Sequence, residues 1–410
     1  MLREDARRIV ETVLRDASPV EAVKRAMEEI PLLSGGRTVL IAVGKAAWSM
    51  AAAAMEGLGE RISSGCVITK YGHLGGKLGC LEFFEAGHPV PDENSCRAAE
   101  RVLELVSGLS ERDTVLFLLS GGGSALFEKP LVPLEELAGI TEQLLASGAD
   151  IVEINTIRKR LSAVKGGRFA LACAPAKVYS VVLSDIIGDP LDMIASGPAF
   201  PDTSTCEQAL AITKKYRLRL SENAGRLLRQ ETPKKLDNTE TFVTGSVKQL
   251  CESAKRVCEQ MGYEPFVLTS SLCCEAREAG SFLAAIAREH QNTERSLVFL
   301  AGGETVVHLT GTGLGGRNQE IALSASEGIA GCRDTCVFSF GSDGTDGPTD
   351  AAGGFADGDT ASRLREKGIM IDEVLRNNDA YHALEQISSL IMTGPTGTNV
   401  NDLSGVLIRR

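Results

Sequence analysis

The sequence has 410 residues, which is longer than one hydrophobic core usually supports, so we expect two domains. A hydrophobic share of 43% and a charged share of 24% are typical of a folded globular protein and exclude a disordered chain. The formal net charge of −11 argues against nucleic acid or an anionic membrane as a partner, because both bind basic surfaces.

Targeting and redox features point to the cytoplasm. Residues 1–16 are charged throughout and lack the apolar stretch of a signal peptide, and no later apolar run approaches membrane-spanning length. The 11 cysteines lack the paired spacing of a zinc site or a disulfide framework, so we expect reduced and mostly buried thiols.

The first half of the chain reads as helices followed by a parallel α/β pattern. Short, continuously apolar strands alternate with amphipathic helices, which is typical of a parallel sheet covered on both faces. We predict helices at residues 2–15, 19–28, 46–56, 93–109 and 135–146, and strands at residues 38–43, 66–70, 114–119 and 177–183.

A polar segment at residues 229–239 interrupts this pattern and predicts a boundary between domains at 1–235 and 236–410. A second α/β series follows the boundary. We predict strands at residues 241–244, 264–268, 296–301, 306–310 and 335–340, and helices at residues 247–261, 274–289 and 318–327.

The glycine run after the third predicted strand is the first candidate ligand loop. In an open α/β sheet, ligands bind beyond the carboxyl ends of the strands. Consecutive N–H groups at a helix start favour a phosphate or carboxylate, although the run also fits a simple tight turn and lacks the Gly-Lys-Ser/Thr of a P-loop. The loop is Ser120-Gly121-Gly122-Gly123-Ser124.

Lys45 follows the first predicted strand at a helix start. A solvated lysine is the alternative interpretation, but the helix dipole disfavours a cation there, so we favour a role in neutralising phosphate. Residues 155–168 form a basic island that includes Asn155 and Arg158, and it fits either an anion-binding surface or a solvated helix face. His88, in a proline-rich loop, fits either a ligand contact or a structural hydrogen bond.

Two loops of the second half also carry candidate chemistry. Asp343 and Asp346 belong to an aspartate-rich loop that could hold Mg²⁺, although Asp-Gly pairs are also ordinary turn formers. The glycines of residues 311–316 match G-x-G-x-x-G, a weak dinucleotide signal when taken alone. Arg317 and Asn318 follow at a helix start and favour binding of a substrate carboxylate or phosphate.

Six blocks of the sequence closely resemble the glycerate 2-kinases of the MOFRL-domain family, in the family's order and from the first helices to the C-terminus. They are VGKAAWSMA at 43–51, LSGGGSAL at 119–126, INTIRKRLSAVKGGRFA at 154–170, LSDIIGDPLDMIASGPAFPD at 183–202, GGRNQE at 315–320 and MTGPTGTNVNDL at 392–403.

The resemblance implies an N-terminal Rossmann-like domain with a parallel sheet, a C-terminal α/β MOFRL domain and an active site in the cleft between them. It also implies ATP-dependent phosphorylation of D-glycerate to 2-phosphoglycerate, with Lys45 and Arg317 as catalytic residues. Phosphoryl transfer needs positioning and charge neutralisation, which these cations and Mg²⁺ supply.

Several further roles are predictions within this interpretation. Asp189 is our first choice for the carboxylate that orients or deprotonates the attacking hydroxyl, and Asp185 is the second. We expect ATP at Ser120–Ser124, and D-glycerate near His88, Asn155, Arg158 and Asn318. The expected Mg²⁺ ligands are Asp185, Asp343 and Asp346.

Two other functions compete with this one. A hydroxypyruvate reductase would use the G-x-G-x-x-G loop for a nicotinamide cofactor, and a noncatalytic sensor would bind sugar acids or sugar phosphates at SGGGS. The sequence leaves the oligomeric state open and is compatible with a homo-oligomer.

Overall fold

The computed structural model describes residues 2–31 and 35–410. Their contacts form two compact units. The first, here the parallel-sheet unit, comprises Ala22–Ser184 and Asp189–Thr244. The second, here the mixed-sheet unit, comprises Met1–Glu21, Asp185–Gly188 and Gly245–Arg410.

The elements up to residue 245 are strands separated in most cases by one to four helices, in keeping with the predicted α/β pattern. In chain order they are α1 Leu2–Asp16, α2 Pro19–Glu29, β1 Thr38–Val43, α3 Ala47–Leu58, β2 Ile62–Lys70, β3 Leu81–Ala86, α4 Glu93–Val106, β4 Thr114–Leu119, α5 Gly123–Leu126, α6 Leu134–Ala146, α7 Ile151–Arg160, α8 Arg168–Cys173, β5 Lys177–Leu183, α9 Cys206–Tyr216, α10 Glu222–Leu227 and β6 Thr239–Gly245, with 3-10 turns at Gly59–Arg61 and Ile194–Ser196.

The remaining elements again mix strands with helices. They are α11 Val247–Gln260, β7 Glu264–Leu272, α12 Ala276–Glu289, β8 Leu297–Gly303, α13 Arg317–Gly328, β9 Thr335–Gly341, β10 Gly353–Asp357, α14 Thr360–Glu366, α15 Ile371–Arg376, α16 Ala380–Gln386, β11 Leu390–Ile391 and β12 Asp402–Ile408.

The parallel-sheet unit contains a six-stranded sheet in the order β3-β2-β1-β4-β5-β6. Strands β1 and β4 are buried at every position, which explains their continuous apolar sequences. They pair in parallel, with Val43 opposite Leu119, so the segments that follow both strands emerge at the same edge. The expected parallel α/β sheet is confirmed.

Strand β6 lies after the polar segment that the sequence analysis used as a boundary, yet it is the last strand of this sheet. The compact unit accordingly extends to Thr244 and not to residue 235. A polar connection marks a chain leaving the core, but it does not show whether the next strand returns to the same sheet.

The mixed-sheet unit contains a second six-stranded sheet in the order β11-β10-β9-β12-β8-β7. The last strand of the chain, β12, is fully buried and runs antiparallel between β8 and β9. The expected C-terminal α/β domain is confirmed. The strand predicted at residues 306–310 is absent from the described chain, where Val306 forms only an isolated bridge with Glu275.

The first helix also belongs to the mixed-sheet unit, although it opens the chain. Ile9, Val10 and Val13 are buried in one cluster with residues of α11, such as Val257, and of β9, such as Phe338. Sequence periodicity predicts this helix but not its partner. Within residues 2–31 and 35–410, no helix is long and apolar enough to span a membrane.

Candidate functional site

The carboxyl ends of β1 and β4 bring two of the predicted loops together in the parallel-sheet unit. The Ser120 N–H donates to the Val43 carbonyl at 2.9 Å, and the Lys45 N–H donates to the Gly121 carbonyl at 2.9 Å. The Ala46 N–H donates to Ser120 Oγ at 3.1 Å. These bonds join the Lys45 loop to the SGGGS loop, as their strand-end positions predict.

Two glycines allow this close approach. Gly44 has φ +124°, and a Cβ there would lie 2.2 Å from Ser120 Oγ. Gly122 has φ +90°, and a Cβ there would lie 3.0 Å from His88 Cδ2 and 3.4 Å from Lys45 Cγ. The side chains of Lys45 and His88 therefore converge on the backbone of Gly122, and we call Lys45, His88 and Gly122 the lysine cluster.

The electrostatics of the lysine cluster suit an anion. Lys45 is exposed, and no carboxylate of the described chain pairs with it. Burial lowers the pKa of His88, and the nearby charges of Lys45 and Lys70 lower it further. His88 is therefore neutral at pH 7 and can donate one N–H, while Lys45 supplies the positive charge.

The SGGGS loop itself is less exposed to a ligand than its sequence suggests. The helix that begins within the loop, α5, spans only four residues, so its dipole is much weaker than that of a full helix. Ser120 Oγ already accepts the Ala46 N–H, and Ser124 Oγ lies 3.1 Å from Ser196 Oγ. Nucleotide binding by Ser120–Ser124 remains a prediction.

Asn155 and Arg158 contact the same region from the protein interior. Asn155 Oδ1 accepts a hydrogen bond from Ser196 Oγ at 2.8 Å, and Arg158 Nη2 donates to the Ser124 carbonyl at 3.0 Å. Arg158 also lies 3.6 Å from the buried carboxylate of Glu128. Arg158 contacts the glycine loop directly and Asn155 only through Ser196, and their predicted contact with substrate stays a prediction.

Three further cations of the basic island are internal. Lys159 and Arg160 are buried beside Asp202, at 3.0 and 3.6 Å, and Lys165 is buried at 3.3 Å from Glu128. The solvated helix face considered for this segment is therefore wrong. A sequence window cannot identify acidic partners that lie roughly 40 residues away along the chain.

The two candidate bases lie just after β5. Asp189 has φ +51°, a conformation that non-glycine residues rarely adopt, and its Oδ1 is buried without a hydrogen-bond partner in the described chain. Such an atom is costly unless a ligand or water completes it. Asp185 is half-buried two residues beyond the end of the strand.

Arg317 is the first residue of α13 in the mixed-sheet unit. Its Nε and Nη2 donate to the two carboxylate oxygens of Asp402 at 2.5 and 3.0 Å, and its Nη1 donates to Glu304 Oε1 at 2.7 Å. We call Arg317, Asp402 and Glu304 the arginine cluster. The sequence predicted that Arg317 binds a substrate oxyanion with two parallel hydrogen bonds. In the structure, the Nε and Nη2 groups that could do so bind Asp402.

Asp346 and Asn318 fix the start of the same helix. Asp346 accepts the backbone N–H groups of Asn318 and Gln319 at 3.1 and 2.8 Å. Burial raises the pKa of Asp346 to about 7, although these hydrogen bonds oppose the shift. Asn318 is buried and also bonds Ser339, so its predicted contact with substrate remains a prediction.

The G-x-G-x-x-G loop at 311–316 does not follow a strand, and its N–H groups bind protein atoms. Gly311 N–H donates to Asn378 Oδ1 and Leu314 N–H to Asp379 Oδ1, both at 2.9 Å. A dinucleotide fingerprint needs such groups for pyrophosphate. The glycines here instead permit tight packing against the loop that precedes α16.

The proposed metal ligands do not form a ready-made cation site. Across the described ranges, no group of three or more His, Cys, Asp or Glu side chains is arranged to hold a metal. Asp343 Oδ1 accepts hydrogen bonds from Thr345, and both oxygens of Asp346 bond α13. These residues fit a cation only if another molecule supplies most of its ligands.

Asp402 and Glu304 are functional candidates to which the sequence motifs assigned no role, although Glu304 lies in the candidate loop at residues 301–305. Asp402 lies in the MTGPTGTNVNDL block used for the family resemblance, so the block marked its neighbourhood without indicating its role. Glu304 follows the glycine pair at the end of β8, a strand-end position that marks it as a candidate but does not indicate its pairing with Arg317.

Comparison with known proteins agrees with this layout. The family model described as "Domain of unknown function (DUF4147)" matches residues 5–229, and the MOFRL family model matches residues 297–402. A D-glycerate 2-kinase of Thermotoga maritima is 53% identical over 408 residues, covering 98% of this chain and 97% of the relative.

One solved structure and one other relative are also similar along the whole chain. A crystal structure of glycerate kinase from Thermotoga maritima has a TM-score of 0.95 at 52% identity and covers 99% of each chain. A protein of Agrobacterium vitis named putative hydroxypyruvate reductase is 39% identical over 422 residues, covering 99% of this chain and 94% of the relative. The chain therefore has a DUF4147 region followed by a MOFRL region and belongs to the glycerate kinase family that its sequence motifs predict.

Proposed function

We propose that this protein is an ATP-dependent D-glycerate 2-kinase, which transfers the γ-phosphoryl group of ATP to the C2 hydroxyl of D-glycerate. The observation that carries the proposal is the 53% identity, over 98% of the chain, to a protein named D-glycerate 2-kinase. The two clusters support it, because each presents a cation suited to phosphate or carboxylate oxygens.

In the reaction, the C2 oxygen attacks the γ-phosphorus and the bond from that phosphorus to the bridging oxygen of ADP breaks. We assign the departing hydroxyl proton to Asp189, whose buried Oδ1 lacks a described partner. Lys45 would neutralise charge on phosphate oxygens, and the neutral His88 would donate one hydrogen bond to the same anion.

Arg317 would contribute mainly by orienting a bound oxyanion, and less by its positive charge. Within the described chain, carboxylates occupy three of the five N–H groups that an arginine carries, so two remain for a ligand. Those two N–H groups would bind a substrate oxyanion at an angle set by the protein.

A bound Mg²⁺ would neutralise phosphate charge and orient the phosphoryl group. Mg²⁺ usually needs only one or two carboxylates when phosphates and water complete its shell, and Asp185 and Asp343 are our candidates. Asp346 is a weaker candidate, because both its oxygens accept backbone N–H groups.

We further propose that the enzyme acts in the cytoplasm on these small molecules, alone or as a homo-oligomer.

The name of the Agrobacterium relative makes hydroxypyruvate reductase the second candidate. The G-x-G-x-x-G loop argues against it here, because its N–H groups bind Asn378 and Asp379. A noncatalytic sensor is the third candidate, and it predicts ligand binding without turnover.

Two parallel assays and a thermal-stability measurement separate all three functions. The protein is incubated with ATP, Mg²⁺ and D-glycerate, and the products are identified by phosphorus NMR; a parallel sample receives NADH and hydroxypyruvate. We expect 2-phosphoglycerate and ADP with no loss of NADH. A dominant 3-phosphoglycerate signal contradicts the proposed regiochemistry, NADH oxidation supports the reductase, and thermal stabilisation by ligand without turnover supports the sensor.

A further inference from the structure

We propose that Asp402 is a positioning residue for Arg317: it fixes the guanidinium so that one constant pair of N–H groups faces the ligand. This inference rests on the proposed function, in which Arg317 contacts the reacting phosphoryl group or the substrate carboxylate.

The first support is the rigidity of Asp402. It opens β12, where it pairs with Gly303 of β8 on one side and Gly341 of β9 on the other. A residue held between two neighbouring strands has little freedom to move. Its side chain is only 7% exposed, so the carboxylate orientation is also restricted by packing.

The second support is the geometry of the pair. Both carboxylate oxygens of Asp402 bind Arg317, at Nε and at Nη2. Two parallel hydrogen bonds fix the plane of a guanidinium as well as its position, which a single contact cannot do. The contact of Nη1 with Glu304 is single, and the Glu304 side chain is 46% exposed.

The third support comes from the other end of the side chain. Arg317 begins α13, and Asp346 holds the next two backbone N–H groups of that helix. The backbone of Arg317 is therefore fixed by one buried carboxylate and its tip by another. Such a side chain loses little further freedom when it binds a ligand.

The charges exclude a simpler role for the cluster. One guanidinium faces two carboxylates, so the arginine cluster is not a general positive surface that attracts anions. Burial raises the pKa of Asp402 to about 6, while Arg317 opposes the shift, so Asp402 is ionised at pH 8. Arg317 is left with directional hydrogen bonding as its main contribution.

The test compares Asp402→Asn with the wild-type enzyme in steady-state kinetics at pH 8. We expect kcat to fall about thirtyfold or more, with each KM changed less than about threefold, because misdirected N–H groups weaken transition-state contacts most. If Asp402 acts through Arg317, Asp402→Asn should cause no further loss in an Arg317→Ala background.

Asp357→Asn is the matched control. Asp357 also pairs with two arginines of the mixed-sheet unit, Arg3 and Arg363, outside the arginine cluster. It should lower thermal stability while leaving kcat within about twofold, since it contacts nothing that the reaction uses. Asp402→Glu keeps the charge and moves the carboxylate by one methylene, so it tests position if the asparagine variant unfolds.

A readout independent of turnover completes the test. The Nε–H signal of Arg317, assigned by its loss in Arg317→Lys, should exchange slowly in the wild type and rapidly in Asp402→Asn. Slow exchange in both proteins, a kcat within about threefold of wild type in a folded Asp402 variant, or multiplying losses in the double variant would overturn the proposal. Failure of the wild type to phosphorylate D-glycerate would instead overturn the proposed function.

Discussion

The lysine cluster and the arginine cluster hold their cations in opposite ways. Lys45 is exposed beside a neutral histidine, whereas the guanidinium of Arg317 is hydrogen-bonded to buried Asp402 and to half-exposed Glu304. The flexible side chain of an exposed lysine can adjust to the position of an anion and contributes mainly charge. An arginine held by two carboxylates instead presents its N–H groups in a fixed orientation. We therefore expect substitutions of the two residues to differ in their effects on stability as much as on turnover.

Arg317→Ala should have the largest effect. We expect kcat to fall about a thousandfold, at the upper end of the cost of removing one preorganised electrostatic contact. The free energy of unfolding should also fall, by about 1–2 kcal/mol, because buried Asp402 loses its partner while Arg317 itself is partly exposed. Steady-state kinetics and urea denaturation measure the two losses. An unchanged free energy of unfolding would contradict the claim that the ion pair with Asp402 holds Arg317 in place.

Lys45→Ala should lower kcat about a hundredfold, the lower end of the same range. Stability should stay within about 0.5 kcal/mol of the parent, because the side chain is exposed. Lys77, another exposed lysine of the parallel-sheet unit, gives the matched control Lys77→Ala, which should leave kcat unchanged. Near-normal turnover by folded Lys45→Ala would remove Lys45 from the mechanism.

Gly122→Ala should reduce kcat/KM about tenfold. The new Cβ would press on His88 and Lys45, and the positive φ adds strain of about 1 kcal/mol. Gly148→Ala is the control, since Gly148 also has positive φ but an added Cβ would meet nothing within 4 Å. Gly122→Ala should lose at least as much stability as Gly148→Ala, and only Gly122→Ala should lose activity; equal activity in both would show that the cluster tolerates crowding.

The smallest expected effect is on the titration of His88. Its midpoint in proton NMR should lie below the usual 6.5, and Lys45→Ala should raise it only partly, because burial is the larger cause. A lowered pKa means that the folded protein binds this proton more weakly than the unfolded chain. His88 should therefore cost stability as the pH falls below 6.5 through the folded pKa. A midpoint above 6.5 would contradict the described environment.

Local patterns predicted much of the secondary structure. Strands β1, β4 and β5 have the predicted bounds, because a strand buried on both faces is a short apolar run between polar residues. Strand β12 was missed, since its Ser and Gly interrupt that run, and the apolar residues at 306–310 did not form a strand. Whether such a segment forms a strand depends on the strands beside it in the sheet, which are distant in sequence.

The sequence by itself determined the two α/β units, the family, and Lys45 and Arg317 as the cations worth testing, because strand-end loops and long motifs are local features. Only the tertiary structure decided which acidic side chains form ion pairs with which basic ones. It buried Lys159 and Lys165 as internal ion pairs, left Lys45 exposed, and brought Asp402 to Arg317 from 85 residues along the chain. Those outcomes depend on desolvation and distance, which are properties of the packed chain.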